Sequence, residues 1–165
     1  MTDPQKKLKV LLTKIIFGLG SNLGDKISYL EQAVNQLESK LLLKNLKQSK
    51  ILKNPALLLP NSPPEWNQEF FNIALSAEVD LEKFNPEKIL EIIKEIEQNL
   101  GREKRDKWAP REIDIDILVI ENLTVRLADK LIIPHPELQN RDFFLSTIRE
   151  IEPNFEHVFK IQKIS

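Results

Sequence analysis

Glu69-Phe70-Phe71-Asn72-Ile73-Ala74-Leu75-Ser76-Ala77-Glu78-Val79 alternates with the period of two that marks a strand. Phe71, Ile73, Leu75, Ala77 and Val79 share one face, suited to a core. Phe70, Asn72, Ala74, Ser76 and Glu78 share the other. Working back, Asn54 to Gln68 holds four of the ten prolines and reads as a long loop, with Trp66 inside it as part of a functional flap. Leu41 to Leu52 reads as a second strand. Before it, Asp25 caps a helix whose apolar positions are Ile27, Leu30, Val34 and Leu37, and Lys14–Gly20 is a buried first strand ending in glycine. Working forward, Asn85-Pro86 opens a helix lined by Ile89, Ile92, Ile93, Ile96 and Leu100 and ended by Gly101. A strand follows at Ile113–Ile120, and an extra C-terminal helix at about Asp142–Ile151. The order βαββαβ predicts an α+β, ferredoxin-like sandwich: an antiparallel sheet with helices on one face.

The 165 residues fit a single domain, with 1–13 expected as a flexible N-terminal extension. The net charge of −1 provides no global attraction for nucleic acid or an anionic membrane, so an anion site must be built locally. Without cysteine there is no disulfide, thiolate metal site or cysteine nucleophile, which fits a cytoplasmic protein. No apolar run approaches the roughly 20 residues that span a bilayer.

Chemistry concentrates after Gly101. In Glu112-Ile113-Asp114-Ile115-Asp116-Ile117 the isoleucines face the core, so the three carboxylates share the opposite face. Carboxylates two apart on a strand stand about 7 Å from each other, able to hold magnesium that also binds substrate phosphates. A solvated acidic face is the ordinary alternative, but stacked like charges repel. Directly before them, Arg102, Lys104, Arg105, Lys107 and Arg111 surround Trp108. Alone these could be an exposed loop; beside the acidic strand they match what a metal-bound nucleoside triphosphate requires. Such a loop is expected to be mobile until ligands neutralise its charge. Gly18, Gly20 and Gly24 do not complete G-x-G-x-x-G, no P-loop motif occurs, and these glycines suit a tight strand-to-helix turn near a ligand. His135, held between Pro134 and Pro136, suits contact with phosphate, though a lone surface histidine is commoner.

Gly-Leu-Gly-Ser-Asn-Leu-Gly-Asp (18–25), Phe-Phe-Asn (70–72), Leu-Gly-Arg (100–102), Trp-Ala-Pro-Arg-Glu-Ile-Asp-Ile-Asp-Ile (108–117) and Pro-His-Pro…Arg-Asp-Phe (134–143) together resemble the 6-hydroxymethyl-7,8-dihydropterin pyrophosphokinase family of folate biosynthesis. The resemblance runs from Lys14 to about Pro153. It implies diphosphate transfer from ATP to the pterin hydroxymethyl group, with two magnesium ions held by Asp114 and Asp116 and moving charge stabilised by Arg102 and Arg111. It further implies an ATP site from Glu97, Lys104, Trp108, Arg111, Ile117, Lys130, His135 and Arg141. A pterin site from Ala56, Leu57, Phe70, Asn72, Asp114 and Phe143 is implied as well. ATP and a pterin alcohol are then the partners, with neither nucleic acid nor membrane, and other folate-pathway enzymes are expected neighbours because the family occurs in fusions. The alternative from another class is a ferredoxin-like small-ligand or RNA-binding module without catalysis, which needs no paired aspartates.

Overall fold

The computed structural model describes residues 11–161 except Leu57 and Lys107. Its elements run β1 (Thr13–Ser21), α1 (Lys26–Leu41), β2 (Lys44–Gln48), β3 (Leu52–Asn54), a 3-10 turn (Pro64–Trp66) and β4 (Phe70–Val79). They continue with α2 (Pro86–Asn99), β5 (Asp114–Ile120), β6 (Val125–Leu127), β7 (Leu131–Ile133), α3 (Asp142–Ile151) and α4 (Phe155–Val158). The main sheet has the order β2-β4-β1-β5, with β3 also on β4, and every pairing is antiparallel.

Local chemistry accounts for the helix starts. Asp25 accepts a hydrogen bond from the Ser28 N–H at 3.1 Å, and Asn85 accepts one from Lys88 at 2.9 Å, satisfying donors that a helix leaves orphaned. From α2, Ile89, Ile93 and Ile96 are fully buried against the sheet, each such side chain being worth about 1.5–3 kcal/mol of burial. With Leu30, Leu37 and Leu41 of α1, and Phe17, Ile73 and Leu75 of the sheet, they form the larger core.

Four expectations need correction. Helices cover both faces: α3 and α4 pack Phe144, Ile148 and Phe155 on the side opposite α1 and α2, against Ile16 and Ala74. The chain from Leu41 to Leu52 is not one strand, because α1 runs to Leu41 and its C-cap, Leu42, turns left-handed (φ 52°) before β2 begins. Ile27 lies off the buried stripe of α1, half exposed, and Ala33 takes part in that stripe instead. The β6–β7 hairpin had no sequence signal strong enough to find it. Of the extension expected at 1–13, Thr13 belongs to β1, and residues 1–10 lie outside the described residues.

Candidate active site

The strand register sets out the floor of the site. On β1, Gly20 lies between Asn72 of β4 and Asp114 of β5, and Gly18 lies between Ala74 and Asp116. One face of the sheet therefore carries the row Asn72–Gly20–Asp114, whose ends are two strand spacings apart, about 10 Å. A side chain on the middle strand would fill that gap. A Cβ at Gly20 would stand 2.8 Å from Asn72 Oδ1 and 3.5 Å from the Phe70 ring. Gly20 thus serves an open floor, and Gly18 makes room for Leu118 and Phe144, whose atoms would stand 3.1 and 3.3 Å from a Cβ there, so neither serves the expected turn. Gly24 alone meets that expectation, with φ +72° where the chain bends into α1.

Above this floor is a cavity of about 300 Å³. On the β4 side it is lined by Phe70 and Asn72, with Asn54 and Pro55 alongside, and on the β5 side by Asp114 and Asp116, with Arg111 and His135. Phe143, beside Arg141, also lines it, and Trp108 and Ala109 form part of the wall. An amide and two aromatic rings suit a flat heterocycle with hydrogen-bonding edges; carboxylates among arginines suit metal-bound phosphates.

Asp114 is held by two guanidinium groups, Arg102 on Oδ1 and Arg111 on Oδ2, each at 3.0 Å. Arg102 also donates to Glu97 Oε2 at 2.6 Å, and the same oxygen accepts the Ile115 N–H at 2.9 Å. Burial raises the Glu97 pKa above its ordinary value, outweighing Arg102 and the Ile115 bond. Among the described residues, Asp116 has no arginine hydrogen-bonded to it. Its nearest basic group among the described ion pairs is His135 Nε2 at 4.0 Å. Burial first, then the charges of Asp114 and Glu97, push its carboxyl up to about 7. A divalent cation between the two aspartates would offset those causes, so the donor set fits magnesium. Among the described residues no group of three or more His, Asp or Glu gathers, so phosphate oxygens and water would have to complete its coordination.

Burial and then Arg141 lower the His135 pKa, and its Nδ1 accepts the Glu137 N–H at 3.0 Å. Its ring proton therefore sits on Nε2, on the Asp116 side. The Arg141 guanidinium lies 5.4 Å from the Phe144 ring centre and 6.0 Å from that of Phe143, an arrangement that orients its charge at the cavity wall.

The family profile described as 7,8-dihydro-6-hydroxymethylpterin-pyrophosphokinase (HPPK) matches residues 16–153. The chain belongs to this family of ATP-dependent pyrophosphokinases. It is 39% identical over 146 residues to the 2-amino-4-hydroxy-6-hydroxymethyldihydropteridine pyrophosphokinase of Aquifex aeolicus, covering 88% of this chain and 84% of that one. It is 40% identical over 140 residues to a folate synthesis bifunctional protein of Chlamydia muridarum, covering 84% of this chain but only 30% of that protein. Among solved structures, an HPPK-DHPS in complex with substrates shares the fold at TM-score 0.61 and 14% identity, covering 94% of this chain and 42% of that one. Membership in the family leaves the noncatalytic binding-module reading without support.

Of the residues expected in the pyrophosphokinase site, several meet in the cavity: Arg111, Asp114, Asp116, His135, Arg141, Trp108, Phe70, Asn72 and Phe143. Glu97, Arg102 and Lys104 instead line a second, adjoining recess of about 260 Å³ with Lys94, Arg105 and Arg111. Ile117 is buried in the core, and its side chain does not face the cavity. Lys130 is exposed in the turn between β6 and β7. Pro55 rather than Ala56 lines the cavity, and Leu57 lies outside the described residues. Glu112 leaves the acidic face: it precedes β5 and takes both Arg105 nitrogens at 2.6 Å, so this hydrogen-bonded pair, chief cause of each shift, lowers the pKa of Glu112 and raises that of Arg105. The loop after Gly101 is therefore not a row of unneutralised charge, because Arg102 and Arg105 have carboxylate partners from α2, β5 and the loop's own end. Asn54, Phe144 and Thr147 also line the cavity and were not anticipated. For Phe144 and Thr147 the available signal was their position beside and one turn after Phe143 on a helix.

Proposed function

We propose that the chain transfers diphosphate from ATP to the hydroxymethyl group of 6-hydroxymethyl-7,8-dihydropterin, giving AMP and the pterin diphosphate. The observation that carries this reading is the row Asn72–Gly20–Asp114, which joins an aromatic-and-amide end to a carboxylate-and-arginine end across a floor without side chains. The pterin stacks between Phe70 and Phe143 with its polar edge on Asn72. Its hydroxymethyl group then points along the floor toward Asp114.

In the reaction, the hydroxyl oxygen attacks the β-phosphorus of ATP and gives up its proton to solvent, the bond from the β-phosphorus to the α-phosphate oxygen breaks, and AMP leaves. Little covalent work falls to the protein, so positioning and charge neutralisation dominate. Asp114 and Asp116 would hold magnesium, two ions in our reading, which screens phosphate charge when bound. Arg111, from the cavity wall, and Arg102, from the adjoining recess, place guanidinium donors on the moving diphosphate. Arg141 and the Nε2–H of His135 bind phosphate oxygens, and Trp108 covers the site from water.

The alternating β1, α1, β2, β4, α2, β5 order, with the added C-terminal helix on the other face, supports a ferredoxin-like sandwich. Both cores share one sheet, which supports a single pyrophosphokinase domain. Among the described residues no helix is long and apolar enough to cross a membrane; we assign the reaction to the cytoplasm, where ATP is available. Relatives named bifunctional folate synthesis proteins support a link to neighbouring enzymes of that synthesis. Incubating the protein with ATP, magnesium and the pterin alcohol should release AMP together with the pterin diphosphate. ADP with a pterin monophosphate would overturn the proposal.

A further inference from the structure

Asn22 follows directly on β1 and is 1% exposed. Its polar atoms bind both loops that border the cavity. Its main-chain N–H donates to the Arg111 carbonyl at 3.1 Å, and its Oδ1 accepts the Arg111 N–H at 2.8 Å. Arg111 is thus gripped on both sides of its backbone by one residue. The Nδ2 of Asn22 donates to the Gln68 carbonyl at 3.2 Å, two residues before Phe70.

The chemistry of these partners singles out asparagine. A backbone N–H can only donate and a carbonyl can only accept, so the side chain must offer an acceptor and a donor together on a short stem. Aspartate lacks the donor, and serine lacks the length to reach both. Arg111 in turn directs its guanidinium to Asp114 at 3.0 Å.

We propose that Asn22 is a positioning residue for diphosphoryl transfer, locking the Arg111 backbone at the phosphate end and tying it to the Gln68–Phe70 segment at the pterin end. The inference rests on the pyrophosphokinase reading for its kinetic consequence; the clamp itself is a matter of hydrogen bonding and is testable separately. Loss of the clamp leaves Arg111 present but free to shift, and misplacement by about 1 Å costs on the order of 100-fold in rate. Binding of ATP, which has other contacts, changes little.

Amide hydrogen exchange on the wild-type chain provides the first test. The Arg111 amide should exchange slowly although it lies outside any strand; exchange at the rate of an open loop would overturn the clamp. In Asn22→Ala, protection should fall both at Arg111 and in the peptide covering residues 66–70. In Asn22→Asp, which keeps the acceptor and loses the donor, protection at Arg111 should persist while that of 66–70 falls; this variant also decides the matter if Asn22→Ala does not fold. Turnover of Asn22→Ala should drop about 100-fold with KM for ATP within about threefold. In an Arg111→Ala background the same change should cost far less than 100-fold, leaving only the part that acts through the Gln68–Phe70 segment. An equal loss in both backgrounds, or unchanged protection, would overturn the assignment. If the wild type released no AMP, the reaction assigned above would fail, and the exchange measurements would still decide the clamp.

Discussion

Replacing Glu97 by glutamine and by alanine separates what this buried carboxylate does for the fold from what it does for the reaction. Its side chain is 4% exposed, and one oxygen accepts from both Arg102 and the Ile115 N–H of β5. Two effects compete: the bonds favour the charge, and removal from water opposes it. The raised pKa says that burial wins, so ionised Glu97 is on balance a cost to the ligand-free fold. Glutamine keeps the shape and an acceptor for Ile115 while removing the charge, and its unfolding free energy should stay within about 1 kcal/mol of wild type. Alanine leaves the Ile115 N–H unpaired and Arg102 short of a partner, a loss of about 3 kcal/mol. For a chain of this size that lowers Tm by about 6–12 °C. The pH dependence has a definite sign. A carboxyl whose folded pKa is raised stabilises fully below its unfolded pKa of about 4.3 and loses that contribution as pH rises through the folded value. Glutamine should therefore gain on wild type as pH rises. Turnover should nonetheless fall about tenfold or more in both variants, since Arg102 loses the anchor that aims it at Asp114. Thermal unfolding by circular dichroism across about pH 4–8, with AMP release under saturating substrates, measures both quantities. Glutamine as unstable as alanine, or a glutamine variant with wild-type turnover, would refute this account.

Asp114→Asn and Asp116→Asn should each abolish turnover at saturating magnesium while the far-ultraviolet spectrum stays native, because both carboxylates face the cavity; near-normal rates in either would remove it from the metal site. Gly20→Ala places a Cβ 2.8 Å from Asn72 Oδ1, so KM for the pterin should rise about tenfold with kcat less affected, read from steady-state kinetics. Glu152 is buried, but a hydrogen bond from Ser76 at 2.9 Å and the charges of Lys14 and Lys47 outweigh that burial and hold its pKa below the ordinary carboxylate value. Glu152→Gln should cost about 1–3 kcal/mol at neutral pH. Because a depressed pKa stabilises only above the unfolded value, the two chains should converge in urea midpoints as pH falls below about 4.

Much of the fold follows from patterns carried within single elements. The alternation from Phe70 to Val79 placed Phe70 and Asn72 on one face before any partner strand was known, and the same rule put Asp114 and Asp116 together. Asp25 and Asn85 announced their helices because capping is a local bond between a side chain and the backbone three residues on. The family motifs likewise lie in short runs, and Trp108–Ile117 carries most of their specificity. Sequence could not supply the register that sets Gly20 between Asn72 and Asp114, since register is chosen by pairing between strands more than 40 residues apart. It could not show Glu112 turning to Arg105, or Glu97 turning inward to hold Arg102, because carboxylates select partners by distance in space. The packing of α3 on the far face and the grip of Asn22 on Arg111 have the same origin. Periodicity along the chain determined which side chains share a face; the pairing of faces and of charges, settled by burial and hydrogen bonding between distant segments, made those faces into a site.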